Sequence, residues 1–352
     1  MDEPQRILLI RPSALGDVCR TVPVLVSLRA RWPDAQIDWL VQRGFEDAVA
    51  AHPALSNILT FDRWRLAPSR LHHRDARAAL LALVRELRSG LYDLVIDAQG
   101  LLRSSLLALA TGARWRVGYA NAAELGWIAL NRRVRADATH HAVDRMLELL
   151  GAVDTPPILD LHLHTAPAWR ATAMSLTGDT PYIVLASTSR WPGKRWPDEH
   201  FATLATSLLE RLGDRSIVLV GGPDEADQCP GLVDLADREH RVTNLIGRTS
   251  VGEMMAVIQA ADLVVANDSA AVHMAVGFDR PLVALYGPTR VDLVGPYGRS
   301  EDVVHASMTP ERNRHKHEMY GSALMHSISI DKVLHECTAR LARPADARET
   351  NK

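Results

Sequence analysis

Short, uninterrupted apolar runs recur along the chain at residues 7–10, 37–41, 94–96, 182–186, 217–220, 263–266 and 282–285, closed by polar or turn-forming residues. Runs of this length without alternation fit strands buried on both faces of a parallel sheet. Between them, apolar residues recur at helical spacing over 18–31, 76–89, 141–150, 198–212, 251–260 and 270–277. The pattern predicts alternating strands and helices, the α/β class. A break at Asp154-Thr155-Pro156-Pro157 leads into a patternless interval, 160–167, and a new strand–helix series opens near Tyr182. This predicts two doubly wound domains, 1–165 and 166–335, followed by 336–352 as the end of a terminal helix (330–341) and a polar, frayed tail.

Composition sharpens this picture mainly by exclusion. A chain of 352 residues, 47% hydrophobic and 23% charged, has the mix of a soluble globular protein and is long enough for two cores. Lys+Arg 40 against Asp+Glu 42 leaves a net charge of -2, without the basic excess of many nucleic-acid binders, so no nucleic-acid partner is expected. Any polyanion must be met by a local patch. The three cysteines, Cys19, Cys229 and Cys337, lie far apart with no Cys-x-x-Cys pair, which suggests neither a disulfide framework nor a zinc site. Together with an opening apolar run too short for a signal-peptide core, they point to a reduced cytosolic compartment. No stretch approaches the ~18–20 apolar residues that span a bilayer, so membrane contact is expected to be peripheral at most.

The candidate chemistry collects at strand-to-helix junctions, where open α/β sheets keep their ligands. After the first run comes Arg11-Pro12-Ser13-Ala14-Leu15-Gly16-Asp17-Val18, which puts Asp17 at the sheet edge; aspartate is equally a favoured helix cap. Ser187-Thr188-Ser189-Arg190-Trp191-Pro192-Gly193-Lys194 offers hydroxyls and a mobile cation to a phosphate, without being a Walker loop; a solvated basic loop is the plainer alternative. Asn267-Asp268-Ser269-Ala270 opens an apolar helix whose free N–H groups suit an anion, whereas a simple cap and a core His273 are the alternative. Gly221-Gly222-Pro223-Asp224-Glu225 permits close ligand approach and supplies a carboxylate for ribose hydroxyls, but Gly-x-Gly-x-x-Gly is missing and a nicotinamide cofactor is not favoured. The histidine pairs His72/His73, His140/His141, His162/His164 and His315/His317 lack metal-site spacing and read as solvated; no metal is expected. The arginine-rich stretch 63–77 could bind an acidic sugar or a phosphate, or be a solvated helix entrance.

These pieces, with Arg63-Trp64-Arg65, the run Tyr92-Asp93-Leu94-Val95-Ile96-Asp97-Ala98-Gln99-Gly100-Leu101, Lys194-Arg195-Trp196-Pro197 and Tyr286-Gly287-Pro288-Thr289, resemble in kind and order the family 9 glycosyltransferases, the ADP-heptose:lipopolysaccharide heptosyltransferases. The resemblance implies a GT-B architecture of two Rossmann-like domains facing a central cleft, and inverting, metal-independent sugar transfer with no cofactor. It implies a nucleotide-sugar donor, ADP-heptose, and a lipid-linked, acidic (Kdo-type) inner-core saccharide as acceptor, handled at the cytosolic face of the inner membrane. Asp17 then matches the general base, and Lys194 the cation on the departing diphosphate. Thr188, Ser189, Glu225, Thr249, Asp268, Ser269, Ala270 and His273 fall in the donor site, and Ser13, Arg63, Arg65 and Gln99 in the acceptor site. Ala270 replaces the family's glycine, which would crowd a phosphate if its φ were positive. The rivals are another nucleotide sugar or a protein or small-molecule acceptor, a GT-B nucleotide-sugar epimerase, and a non-catalytic nucleotide-sugar-binding protein.

Overall fold

The computed structural model describes residues 3–63, 72–306 and 318–342, which form two compact units dividing between His164 and Thr165. The first contains β1 (Arg6–Ile10), α1 (Leu15–Arg20), α2 (Val22–Arg31), β2 (Gln36–Gln42), α3 (Asp47–Ala50), β3 (Asn57–Phe61), α4 (Arg74–Ser89), β4 (Leu94–Asp97), α5 (Leu102–Ala110), β5 (Trp115–Tyr119), β6 (Arg132–Val134) and α6 (Ala142–Glu148). The second contains α7 (Pro167–Thr177), β7 (Tyr182–Ala186), α8 (Asp198–Arg211), β8 (Ser216–Leu219), α9 (Pro230–Arg238), β9 (Val242–Asn244), α10 (Val251–Ala260), β10 (Leu263–Asn267), α11 (Ala270–Gly277), β11 (Leu282–Tyr286), α12 (Val291–Val294), β12 (Val303–His305), α13 (Glu318–His326) and α14 (Ile330–Leu341).

Each unit is built on a six-stranded parallel sheet, ordered β3-β2-β1-β4-β5-β6 in the first and β12-β11-β10-β7-β8-β9 in the second. The α/β, doubly wound, GT-B reading therefore holds. In both sheets the chain winds outward from a central strand, returns, and winds outward the other way. The carboxyl ends of β1 and β4, and of β7 and β10, flank the reversal, the position at which open α/β sheets keep their ligands.

Packing explains why the central strands are continuous apolar runs. On one face of the first sheet Leu8, Ile10, Leu40 and Val95 pack against Leu83 and Leu87 of α4 and Ala108 of α5. In the second, Ile183, Leu185, Val265 and Leu285 meet Phe201 and Leu204 of α8, and the indole N–H of Trp196 donates to the Ile328 carbonyl (3.0 Å). All three cysteines are buried and unpaired.

Some boundaries differ from the pattern. The helix expected over 18–31 is two helices that meet at Thr21, because Pro23 has no N–H to continue the first ladder and sits comfortably in the first turn of the second. α6 ends at Glu148 and continues as a 3-10 turn to Val153. The terminal helix runs unbroken through residue 336, so the limit at 335 falls inside α14. The tail after Ala342, residues 312–317 and Arg65 lie outside the described residues.

Candidate functional site

In the first unit the site begins where β1 ends. Asp17 sits in the first turn of α1 and its Oδ2 accepts the Ala14 N–H (3.1 Å), so it does cap a helix, one that starts at Leu15 rather than Val18. The same carboxylate lies 2.9 Å from Arg11 Nη2 and accepts a hydrogen bond from Arg20 Nη2 on its other oxygen. Its side chain is 23% exposed, while those of Arg11 and Arg20 are nearly buried. Burial works against ionisation of Asp17, but the two guanidiniums outweigh that cost and hold the carboxyl well below the usual carboxylate range.

The neighbouring loops are tied to this turn. Arg11 donates to the Ala98 carbonyl after β4, the Ser13 N–H donates to Gln99 Oε1 (3.3 Å), and the Gln42 N–H at the end of β2 donates to the Pro12 carbonyl (3.0 Å). Asp97, fully buried at the end of β4, accepts Ser105 Oγ (2.6 Å), Ser104 Oγ (2.9 Å) and the Gln99 N–H (3.0 Å), which fixes the turn that carries Gln99. Ser13, Asp17 and Gln99 thus share one edge. Arg63 is exposed just past the carboxyl end of β3, further out along that edge.

In the second unit Ser187, Thr188 and Ser189 follow β7 and are almost fully buried, whereas Arg190 and Trp191 after them are exposed. Lys194, in the 3-10 turn Pro192–Lys194, places Nζ 2.6 Å from Asp268 Oδ2, both side chains being largely buried. Asn267 is the joint between the loops: its amide Nδ2 donates to the Ser187 carbonyl (2.6 Å) and its Oδ1 accepts the Trp196 N–H (3.0 Å). Ser269 is the N-cap of α11 with no side-chain capping bond, and Ala270 is its first helical residue, outside the positive-φ set, so the replacement of glycine costs no strain. His273 is buried one turn further along.

Glu225 has a more structural setting than the sequence suggested. Its carboxylate accepts Thr188 Oγ1 (2.6 Å) and the Gly222 N–H (2.8 Å), while a Cβ at Gly221 would come within 2.8 Å of that same threonine oxygen. The close approach that Gly221 allows is therefore to Thr188. Thr249, in the loop after β9, has a buried hydroxyl with no hydrogen-bond partner among the described residues, and so does Thr289 after β11.

Sequence reasoning assigned no role to Arg11, Arg20, Asn267, Gln228 or Thr289. The i,i+3 spacing of Asp17 and Arg20 was the available signal for one of them. Gln228 accepts the Ser189 N–H (3.1 Å). Among the described residues no group of three or more His, Cys, Asp or Glu is placed to hold a metal ion. The His72 and His73 rings lie 3.9 Å apart and are tilted by 39°, and His164 meets both His52 and His162 edge-on. His315 and His317 lie outside the described residues.

Both sites use strand ends at a sheet reversal, one offering a carboxylate between two arginines and the other a lysine beside a helix N-terminus. The model of glycosyltransferase family 9 (heptosyltransferase) matches residues 80–323. The chain is 30% identical over 322 residues to lipopolysaccharide heptosyltransferase 1 of Salmonella typhimurium, which covers 88% of this chain and 95% of that protein. The enzyme of the same description from Pseudomonas aeruginosa is 31% identical over 302 residues, 84% of this chain and 82% of its own. Among solved structures, E. coli ADP-heptose lps heptosyltransferase II superposes with a TM-score of 0.79 at 26% identity, over 96% of this chain and 98% of that one. E. coli heptosyltransferase WaaC with ADP-2-deoxy-2-fluoro heptose gives 0.75 at 25% identity, over 94% and 99%.

Proposed function

Because the chain belongs to glycosyltransferase family 9, the heptosyltransferases, we propose that it transfers heptose from ADP-heptose to an acidic, Kdo-type inner-core saccharide of lipopolysaccharide, with inversion at the anomeric carbon. The observation that carries the donor half is the largely buried Lys194–Asp268 pair beside the open N-terminus of α11. As the anomeric C–O bond breaks, its electron pair passes to the β-phosphate oxygen of ADP. Lys194 and the N–H groups of Ala270 and Ala271 offer the positive charge that this oxygen needs. Thr188, Ser189, Thr249 and Thr289 supply hydroxyls at the same edge, and Glu225 acts by holding Thr188.

The acceptor half is assigned to the edge with Ser13, Asp17 and Gln99, together with Arg63 and Arg65. The acceptor oxygen bonds to the anomeric carbon and gives its proton to Asp17. A carboxylate held this far toward its ionised form is a weak base, which suits an oxocarbenium-like transition state in which the acceptor hydroxyl becomes strongly acidic only as it attacks. Arg11 and Arg20 keep Asp17 ionised and aimed. Work on a lipid-borne acceptor places the enzyme peripherally at the cytosolic face of the inner membrane.

The test is ADP release from ADP-heptose with and without Kdo-bearing lipid A, for the native chain, Asp17→Ala and Lys194→Ala. Acceptor-dependent release that falls by about 10²-fold or more in both variants is expected. ADP-heptose binding without acceptor-dependent release overturns the acceptor assignment, and failure to bind ADP-heptose overturns the donor assignment.

A further inference from the structure

The outer surface of the first unit carries a second pattern. α4 and α5 lie side by side on one sheet face: their inward residues Leu83, Leu87 and Ala108 share a core cluster, and Arg88 Nε donates to the Ala110 carbonyl (3.4 Å). The 3-10 segment Ala123–Ala129 adjoins the start of α5, where a Cβ at Gly126 would meet the Leu101 carbonyl carbon at 2.9 Å. These three elements present Leu81, Leu106, Leu109, Leu125 and Ile128 to solvent, each between 46% and 60% exposed. A folded domain gains nothing by exposing five large aliphatic side chains on adjoining elements.

The charges around them are sorted. On α4 the exposed residues form two stripes at helical spacing. One holds Arg74, Arg77, Leu81, Arg85 and Arg88, and the other holds Asp75 and Glu86. Glu86 borders a hollow beside Asn57 and Ile58 of β3, whereas Arg88 reaches α5, so the basic stripe is the one that faces the exposed leucines. Arg103 on α5 is also exposed, and Arg133 lies 4.9 Å from the Trp127 ring on the far side. Among the described residues Arg77, Arg85, Arg88 and Arg103 form no ion pair with a carboxylate, and of the acids on these three elements Glu124 is the one outside the Asp75–Glu86 stripe.

We propose that this face, Leu106 and Leu109 of α5 with the arginine stripe of α4, is where the enzyme docks on an anionic phospholipid bilayer. The aliphatic tips enter the acyl boundary while the arginines, on long flexible stems, remain among the lipid phosphates. A second copy of the chain is a poorer occupant, because a two-fold contact through this face brings arginines against arginines. Topology gives the face a direction as well. α4 and α5 both have their N-termini at the carboxyl edge of the sheet, so Arg74, Arg77 and Arg103 lie at the end nearest Asp17. A membrane held there presents a lipid-anchored saccharide to that edge. This inference deepens the proposed function and takes only its purpose from that reading.

The test reads the surface without turnover. The full chain is sedimented with phosphatidylcholine vesicles that contain or lack phosphatidylglycerol. It is expected to pellet with the anionic vesicles, and the Arg85→Gln/Arg88→Gln and Leu106→Gln/Leu109→Gln double variants each to weaken that binding roughly tenfold or more, with unchanged melting temperature and ADP affinity. Added salt weakens it further. A native chain that stays in solution with anionic vesicles overturns the proposal, as do variants that bind like the native chain. So does a dimer in solution that Leu106→Gln/Leu109→Gln abolishes. Loss of heptose transfer with intact vesicle binding would instead refute the proposed reaction and leave the docking face standing.

Discussion

Replacing Gly321 by alanine sets two effects of opposite sign against each other. Gly321 lies inside α13, where alanine is the better helix former by about 1 kcal/mol, so helix propensity alone predicts stabilisation. The structure predicts the reverse, because a Cβ at this position would sit 2.3 Å from the Gly193 carbonyl oxygen and 2.7 Å from its Cα, where ordinary contact begins at 3.4 Å. Both obstacles are backbone atoms, so neither can rotate away. α13 and the Pro192–Lys194 turn must separate by roughly 1 Å, and such overpacking costs about 1–3 kcal/mol, which offsets or exceeds the propensity gain. On the donor role proposed for Lys194, the residue next to Gly193, the functional effect is larger than the stability effect, because a displacement of roughly 1 Å at such a group lowers turnover by about 10²-fold. Thermal unfolding, ADP calorimetry and steady-state kinetics on Gly321→Ala check this. Gly213→Ala, where nothing lies within 4 Å of the new carbon, is the control and should be neutral or slightly stabilising. If Gly321→Ala unfolds at the native temperature or above and retains native ADP affinity and turnover, the argument that α13 positions the Lys194 turn is wrong.

Three further outcomes are expected. Arg20→Met removes one of the two cations that lower the Asp17 carboxyl, so its pKa rises and the acid limb of the kcat/KM profile moves to higher pH; an unmoved limb refutes Asp17 as the titrating base. His52 is held neutral by burial and by its neighbour His164, with its pKa pushed down from 6.5 to about 4. The unfolded chain therefore binds the proton first as pH falls from 6.5 to 4, and the stabilising contribution, fully present above that window, is lost through it by on the order of 3 kcal/mol. Chemical denaturation against pH should show that slope flatten in His52→Gln. Asn267→Asp removes the donor to the Ser187 carbonyl and buries a charge there, lowering stability by about 2–4 kcal/mol in the same assay, whereas an unchanged midpoint would show that the Asn267 amide does not hold the loop.

What the sequence disclosed follows burial. β1, β2, β4, β7, β8, β10 and β11 are covered on both faces and so read as apolar runs. β6 (Arg-Arg-Val), β9 (Val-Thr-Asn) and β12 (Val-Val-His) are three-residue edge strands with mixed side chains, and nothing local distinguishes them from loops; they become strands by hydrogen bonding to a longer neighbour. β5, although five residues long, is half-exposed at three of them, Trp115, Arg116 and Tyr119. Asp17, Lys194 and Asp268 drew attention in the sequence because each falls in the segment that follows an apolar run, β1, β7 and β10 respectively. Their partnerships were less legible. The Arg11–Asp17 contact depends on the way the turn after β1 folds back, and the Thr188–Glu225 hydrogen bond joins residues brought together only by the pairing of β7 with β8. For Ala270 the question was φ, which no neighbouring residue type announces.

Asn267 is bound to a chemical role that no other side chain of its length can take, since it must donate at one end and accept at the other while carrying no charge in a dry interior. Aspartate lacks the donor, leucine lacks both functions, and glutamine is one methylene too long. The two backbone groups it grips, at Ser187 and Trp196, stand at either end of the stretch that includes Lys194. The residues between those anchors can then gain or lose length over evolution while the lysine returns to the same place. Relatives should accordingly vary more in the number of residues between the hydroxyls and the lysine than in the residue at this one position. In an alignment of the family, loop-length variation should be concentrated between the two anchors and asparagine should persist opposite them.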